Sequence, residues 1–143
     1  MGNPLAAITT LHGALARAGA IQNAKVLHLL GMAHLRLGEL SRAEGYLRRS
    51  LEVERTAEAL REMGWLLIAR EDYTESISFL KEAISINPND IWAKLDLAIA
   101  YFKQGVTVDA QILFNEARAA SPTPEVTKLL NDLARVITAG PSS

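Results

Sequence analysis

Residues 91–124 read IWAKLDLAIAYFKQGVTVDAQILFNEARAASPTP, and residues 57–90 read AEALREMGWLLIAREDYTESISFLKEAISINPND. Laid over one another at an offset of 34, they place Ala98 on Gly64, Ala110 on Ser76, Phe114 on Leu80, Ala117 on Ala83 and Pro122 on Pro88. A third copy, residues 24–56, is one residue shorter and extends these columns upstream to Gly31, Ala43, Leu47 and Ser50. A fixed period of this length marks a chain of stacked units, none of which can bury its apolar face alone.

Each copy reads as two helices joined by a tight turn. In the third, Ile91, Leu95, Ala98 and Phe102 recur at helical spacing, Gly105 interrupts the run, and Ala110, Leu113, Phe114 and Ala117 resume it. The small columns let two helix backbones approach where a larger side chain would wedge them apart. Asn87-Pro88 and Ser121-Pro122 end the second helices, because proline disfavours helical geometry in the residue before it.

These segments resemble tetratricopeptide repeats, whose pattern runs through Leu, Gly or Ala, and Tyr in the first helix to Ala, Phe and Ala in the second, with a closing Pro. The third copy supplies Leu97, Ala98, Tyr101, Gly105, Ala110, Phe114, Ala117 and Pro122; the second supplies Met63, Gly64, Tyr73, Leu80, Ala83 and Pro88. The first supplies Leu30, Gly31, Gly38, Ala43 and Leu47, with His34 in place of the Tyr and Arg55 where proline belongs. The resemblance implies an all-α, right-handed α-solenoid of about eight helices, spanning residues 1–139 as a single domain. Its expected parts are an N-terminal helix at 3–19, repeats at 24–56, 57–90 and 91–124, and a capping helix at 125–139. Residues 140–143 read as a linker-like tail. Thr123-Pro124 opens the capping helix, and Val126, Leu129, Leu130, Leu133 and Ile137 form its apolar stripe.

Composition narrows the function. The chain has 143 residues, 49% of them apolar, and 15 basic against 16 acidic side chains give a net charge of −1. The basic field that holds phosphate backbones is missing, so nucleic acid is not the expected partner. With no cysteine, thiol nucleophiles and zinc ribbons are excluded. No apolar run approaches a membrane span and no signal peptide is evident, so a cytoplasmic location is expected. The histidines His12, His28 and His34 lack zinc-type spacing, and no nucleophile, base and orienting group converge. The reading is of a non-enzymatic chain with no cofactor and no metal; His34 reads as a hydrogen-bonded core residue, and Glu71-Asp72 as residues that solvate a turn.

By the resemblance, the first helices line a concave groove with their second, fifth, ninth and twelfth residues. Carried onto this chain, these are Lys25, His28, Met32 and Leu35; Glu58, Arg61, Trp65 and Ile68; and Trp92, Leu95, Ile99 and Phe102. Eight of the twelve, Met32, Leu35, Trp65, Ile68, Trp92, Leu95, Ile99 and Phe102, are large and apolar, more than a free surface ordinarily shows. Some relatives clamp carboxylates with Lys, Asn and Arg, but those slots here hold His28, Met32, Glu62, Trp92 and Asp96, and an aspartate repels a carboxylate. The expected partner is therefore a protein or peptide offering an amphipathic helix or extended apolar segment. The alternative is a groove filled by the protein's own helix, a second copy or another domain of the same protein.

Overall fold

A computed structural model describes residues 2–120 and 123–139, and among them it contains helices and turns but no strand. The helices are α1 (Pro4–Arg17), α2 (Ala20–Arg36), α3 (Leu40–Val53), α4 (Ala57–Ala69), α5 (Tyr73–Ile86), α6 (Ile91–Lys103), α7 (Thr107–Ala119) and α8 (Pro124–Ala139). The tightest pairings are α2 with α3, α4 with α5, and α6 with α7; each pair then packs on the next. Contacts of α2 with α4 and of α4 with α6 make the first helices an inner row, as a solenoid of helical pairs requires. Ser121, Pro122 and residues 140–143 lie outside the described residues, as does the side chain of Ile137.

Local chemistry sets the helix ends. Asn3, Thr56, Asp72, Asp90 and Thr123 each accept a hydrogen bond from a backbone N–H in the first turn that follows, satisfying a donor the helix cannot. The three turns inside the pairs share one geometry. In each, a residue of positive φ follows the first helix, and two backbone N–H groups return to its last turn: Gly38 to Leu35 and Glu39 to His34; Glu71 to Ile68 and Asp72 to Leu67; Gly105 to Phe102 and Val106 to Tyr101. Gly38 and Gly105 have φ of 75° and 84°, whereas the equivalent Glu71 has φ 63° and carries a Cβ into the left-handed region. Glu71 is thus a strained helix terminator and Asp72 a cap, roles more specific than solvating the turn.

The columns of small and large residues meet inside each pair. A Cβ added to Gly31 would lie 2.7 Å from Leu47 Cγ, and one added to Gly64 2.5 Å from Leu80 Cγ, so neither position has room for a methyl group. In the third pair Ala98 is fully buried in one cluster with Phe114. Buried hydroxyls accompany the close approach: Ser76 donates to the Gly64 carbonyl and Ser50 to the Ala24 carbonyl, both at 2.7 Å. Apolar clusters run between pairs. One joins Leu47 and Leu51 to Leu60, Met63 and Leu67, and another joins Ile68 and Leu80 to Leu97 and Ala100.

At the C-terminal end, Leu130 is buried against Leu95 and Phe114, with Val126 and Leu133 packed around it. Leu129, expected on the same stripe, is 45% exposed; α8 is seated by positions 126, 130 and 133, one side of Leu129. Where the first repeat lacks its closing proline, Arg55 reaches α5 instead and donates to both carboxylate oxygens of Glu82 at 2.6 and 2.7 Å. This two-pronged pair bridges the turn before α4 to the next second helix.

Two substitutions test this packing by urea unfolding. Gly64→Ala should cost about 1–3 kcal/mol, since the methyl group must displace Leu80 in a filled interior. Glu71→Gly should raise stability by up to about 1 kcal/mol, the relief of left-handed strain being partly offset by the greater freedom of the unfolded glycine.

Candidate functional site

The inner row carries the sequence-predicted groove residues in three states. Trp65 on α4 and Trp92 on α6 are 44% and 38% exposed. Met32, Leu35, Ile99 and Phe102 are half-buried. Ile68 and Leu95 are buried: Ile68 is not accessible as a groove position, and Leu95 lies under α8, a helix outside the three repeats. Ile68 lies in the last turn of α4, where Leu97 and Ala100 of α6 close over it; Leu95 is enclosed by the cluster that Leu130 of α8 completes. Phe102 and Ile99 lean on that same cluster, so the wall is open at its tryptophans and closed towards α8.

A further apolar hollow lies at the N-terminal end. A cleft of about 510 Å³ separates α1 from α2, with Pro4, Ala7 and Leu11 on one side and Leu29, Met32 and Ala33 on the other. Leu29 was not among the groove positions, although it is 38% exposed. Its signal was present in the sequence, since Leu29, Met32, Ala33 and Arg36 follow helical spacing, but what faces them depends on where α1 docks.

The polar residues of the inner row form their own pattern. Arg61 of α4 donates to Asp96 of α6 at 3.1 Å. Burial pushes the Asp96 carboxyl up to about 6, against the pull of Arg61 and with further upward pressure from Glu62 and Asp90. His28 of α2 is held below its ordinary value by burial, opposed by Glu62 and Glu58. Among the described residues no three His, Asp or Glu side chains are placed to hold a metal ion. His34 is buried between α2 and α3, with Nδ1 2.6 Å from Glu39 Oε2.

Asp96 makes stability depend on pH with a defined sign. Its folded pKa of about 6 exceeds the unfolded 3.8, so between those values the folded chain holds more protons than the unfolded one. The contribution of Asp96 is therefore most favourable below about pH 4 and is lost as pH rises to about 6. Chemical unfolding across that window should show the wild type losing on the order of 2 kcal/mol relative to Asp96→Asn, with parallel curves above pH 7.

Comparison with known proteins agrees with this architecture. Family profiles described as tetratricopeptide repeat match residues 1–52, 28–91 and 67–133. Over 86 residues the chain is 33% identical to the human protein O-mannosyl-transferase TMTC1; the match covers 60% of this chain and 10% of that protein, so the chain spans a small part of this relative's length. Among solved structures, the Arabidopsis OM64 TPR domain superposes with a TM-score of 0.74 at 14% identity, covering 82% of this chain and 98% of that one. MamA superposes with a TM-score of 0.74 at 24% identity, covering 83% and 69%. The first TPR of Spaghetti (RPAP3), solved bound to the HSP90 peptide SRMEEVD, gives 0.72 at 15% identity, covering 82% and 94%. These likenesses show a shared fold. With the period, the paired helices and the profile matches all in agreement, the chain belongs to the tetratricopeptide repeat family.

Proposed function

We propose that this chain is a protein-interaction module that takes an apolar or amphipathic peptide along the inner row of α2, α4 and α6. The observation that carries this reading is the pair Trp65 and Trp92, both more than one-third exposed on adjacent inner helices. Leaving two indoles in water forgoes a large burial energy, and tryptophan is enriched among residues that dominate interfaces. Met32, Ile99 and Phe102 extend an apolar surface to either side, while Ile68 and Leu95 support it from within.

The fold neighbour RPAP3 is bound to an acidic peptide. In this chain the positions at which some tetratricopeptide proteins place Lys, Asn and Arg to clamp a carboxylate hold His28, Met32, Glu62, Trp92 and Asp96, a set suited to side-chain burial and poorly suited to a carboxylate. No helix among the described residues is long and apolar enough to cross a membrane. A second reading, in which the groove is filled by the protein's own helix, a second copy or another domain of the same protein, draws support in its own-helix form from α8, which already covers Leu95 at one end of the wall.

Selection from a peptide library on the wild-type chain, followed by titration with Trp65→Ala and Trp92→Ala, tests the proposal. Each truncation should weaken a selected peptide by about tenfold to thirtyfold, roughly the 2 kcal/mol of an interface hot spot, with little change in thermal midpoint. Light scattering separates the second reading: a wild-type dimer that becomes monomeric in Trp65→Ala would replace peptide capture by self-association.

A further inference from the structure

The exposed tryptophans of the inner row have carboxylates for neighbours. Helical spacing puts Glu58, Glu62 and Trp65 on one side of α4, so that two acidic side chains lead up to the indole. In the repeat register Trp92 of α6 is the counterpart of Glu58 of α4, and the second exposed indole therefore stands level with Glu58 on the neighbouring helix. Glu58 is exposed and Glu62 half-buried. Both act electrostatically on His28 of α2, and Glu62 acts also on Asp96 of α6, which places Glu62 within reach of the helices on either side.

This wall does not neutralise its own charge. Elsewhere in the stack Glu39, Glu44, Glu75, Glu82 and Glu116 each lie within ion-pair distance of an arginine or a lysine. On the inner row Arg61 is taken by Asp96 at 3.1 Å. No arginine or lysine of the described residues comes within ion-pair distance of Glu58 or Glu62. Lys25, exposed on α2, is the other lysine or arginine at a groove position, and it pairs with neither. His28 adds no positive charge near neutral pH, because burial holds its pKa below the ordinary value. Asp90 brings a further carboxylate to the start of α6, where two backbone N–H groups bond it. The chain as a whole has a net charge of −1, so the acidic excess on this wall is a local feature.

Resting on the reading of the inner row as a peptide groove, we propose that its occupant is a basic amphipathic segment, whose arginine or lysine side chains meet Glu58 and Glu62 while its apolar side chains cover Trp65 and Trp92. Unpaired carboxylates beside an apolar surface attract such a segment and repel an acidic one of the same shape, so charge sets the choice of partner and the indoles supply affinity. An indole face also attracts a cation lying over it, and a guanidinium that reaches Glu58 beside Trp92 is held by both. The partial dryness of the wall, which pushes Asp96 up, strengthens these attractions relative to an open surface. A neutral apolar segment would cover the half-buried Glu62 without offering it a cation, a desolvation cost that a basic segment offsets.

Three synthetic peptides test the proposal. All lack tryptophan and share one leucine stripe, and they carry arginine, glutamine or glutamate at the positions flanking it. Trp65 and Trp92 are the two tryptophans of the chain, so their fluorescence reports binding to this wall directly. Near neutral pH the arginine peptide should bind at least about tenfold more tightly than the glutamine peptide, and the glutamate peptide more weakly than both. Combining Glu58→Gln with Glu62→Gln should bring the arginine peptide down to the level of the glutamine peptide while the thermal midpoint is retained. Salt at about 0.5 M should do the same to the wild type. Combining Glu52→Gln with Glu54→Gln, two exposed carboxylates outside the inner row, should leave the preference for arginine intact. Equal affinity for the three peptides, an arginine preference that survives the changes at Glu58 and Glu62, or one lost equally in the Glu52 and Glu54 control would overturn the proposal and leave the groove standing. Failure of all three peptides to bind would overturn the groove reading and this proposal with it.

Discussion

The close approach of paired helices at Gly31, Gly64 and Ala98 is the constraint on which the remaining structure depends. Leu47 and Leu80 occupy the space where a glycine Cβ would be, so each pair closes to a separation that only a missing or minimal side chain permits. Close-packed interiors do not absorb an added methylene without shifting their neighbours. Repeating the same joint gives each pair the same close approach, and each pair packs on the next in chain order. The buried Ser50 and Ser76 hydroxyls belong to this constraint, because each finds its acceptor on the backbone of the partnering helix.

Stacking then sorts the surfaces. On the outside, Arg48 bridges the second helices α3 and α5 between Glu44 and Glu75, and Arg70 at the end of α4 reaches back to Glu44 and Ser41 of α3. Exposed pairs of this kind add little individually, yet they span successive units and keep like charges apart. First helices form the inner row, where side chains from α2, α4 and α6 share one wall. The Arg61–Asp96 pair ties two of these helices, and the penalty of burying Asp96 shows that the wall is drier than its charge content suggests. Trp65 and Trp92 remain partly in water on that wall because no helix of the described residues covers them fully.

The two ends of the stack differ. At the C-terminal end, α8 supplies Leu130 and satisfies the last pair, which also closes Leu95 off from solvent. At the N-terminal end, α1 buries no residue completely and leaves a cleft against α2 on one side and a polar hollow against α3 on the other. Departures from the repeat pattern gather near this first unit. His34 stands where Tyr101 stands in the third pair, and it is drawn into contact with Tyr46 and Glu39.

What the amino-acid order determined by itself was whatever repeats: the helical pairs, the small and large columns, and the turns with their glycines. A period is legible because each unit must solve the same packing problem with similar residues. Glu71 was legible only as a turn residue, since its left-handed φ follows from the helix ending that its neighbours in space impose. Tertiary structure alone decided which groove residues are accessible. Ile68 and Leu95 share the helical positions of half-buried residues, but α6 and α8 close over them, and a linear pattern does not say how far a neighbouring helix leans. It also decided that His34, Tyr46, Arg49 and His12 meet. They come from three helices, and only the docking of α1 brings their side chains within contact of one another.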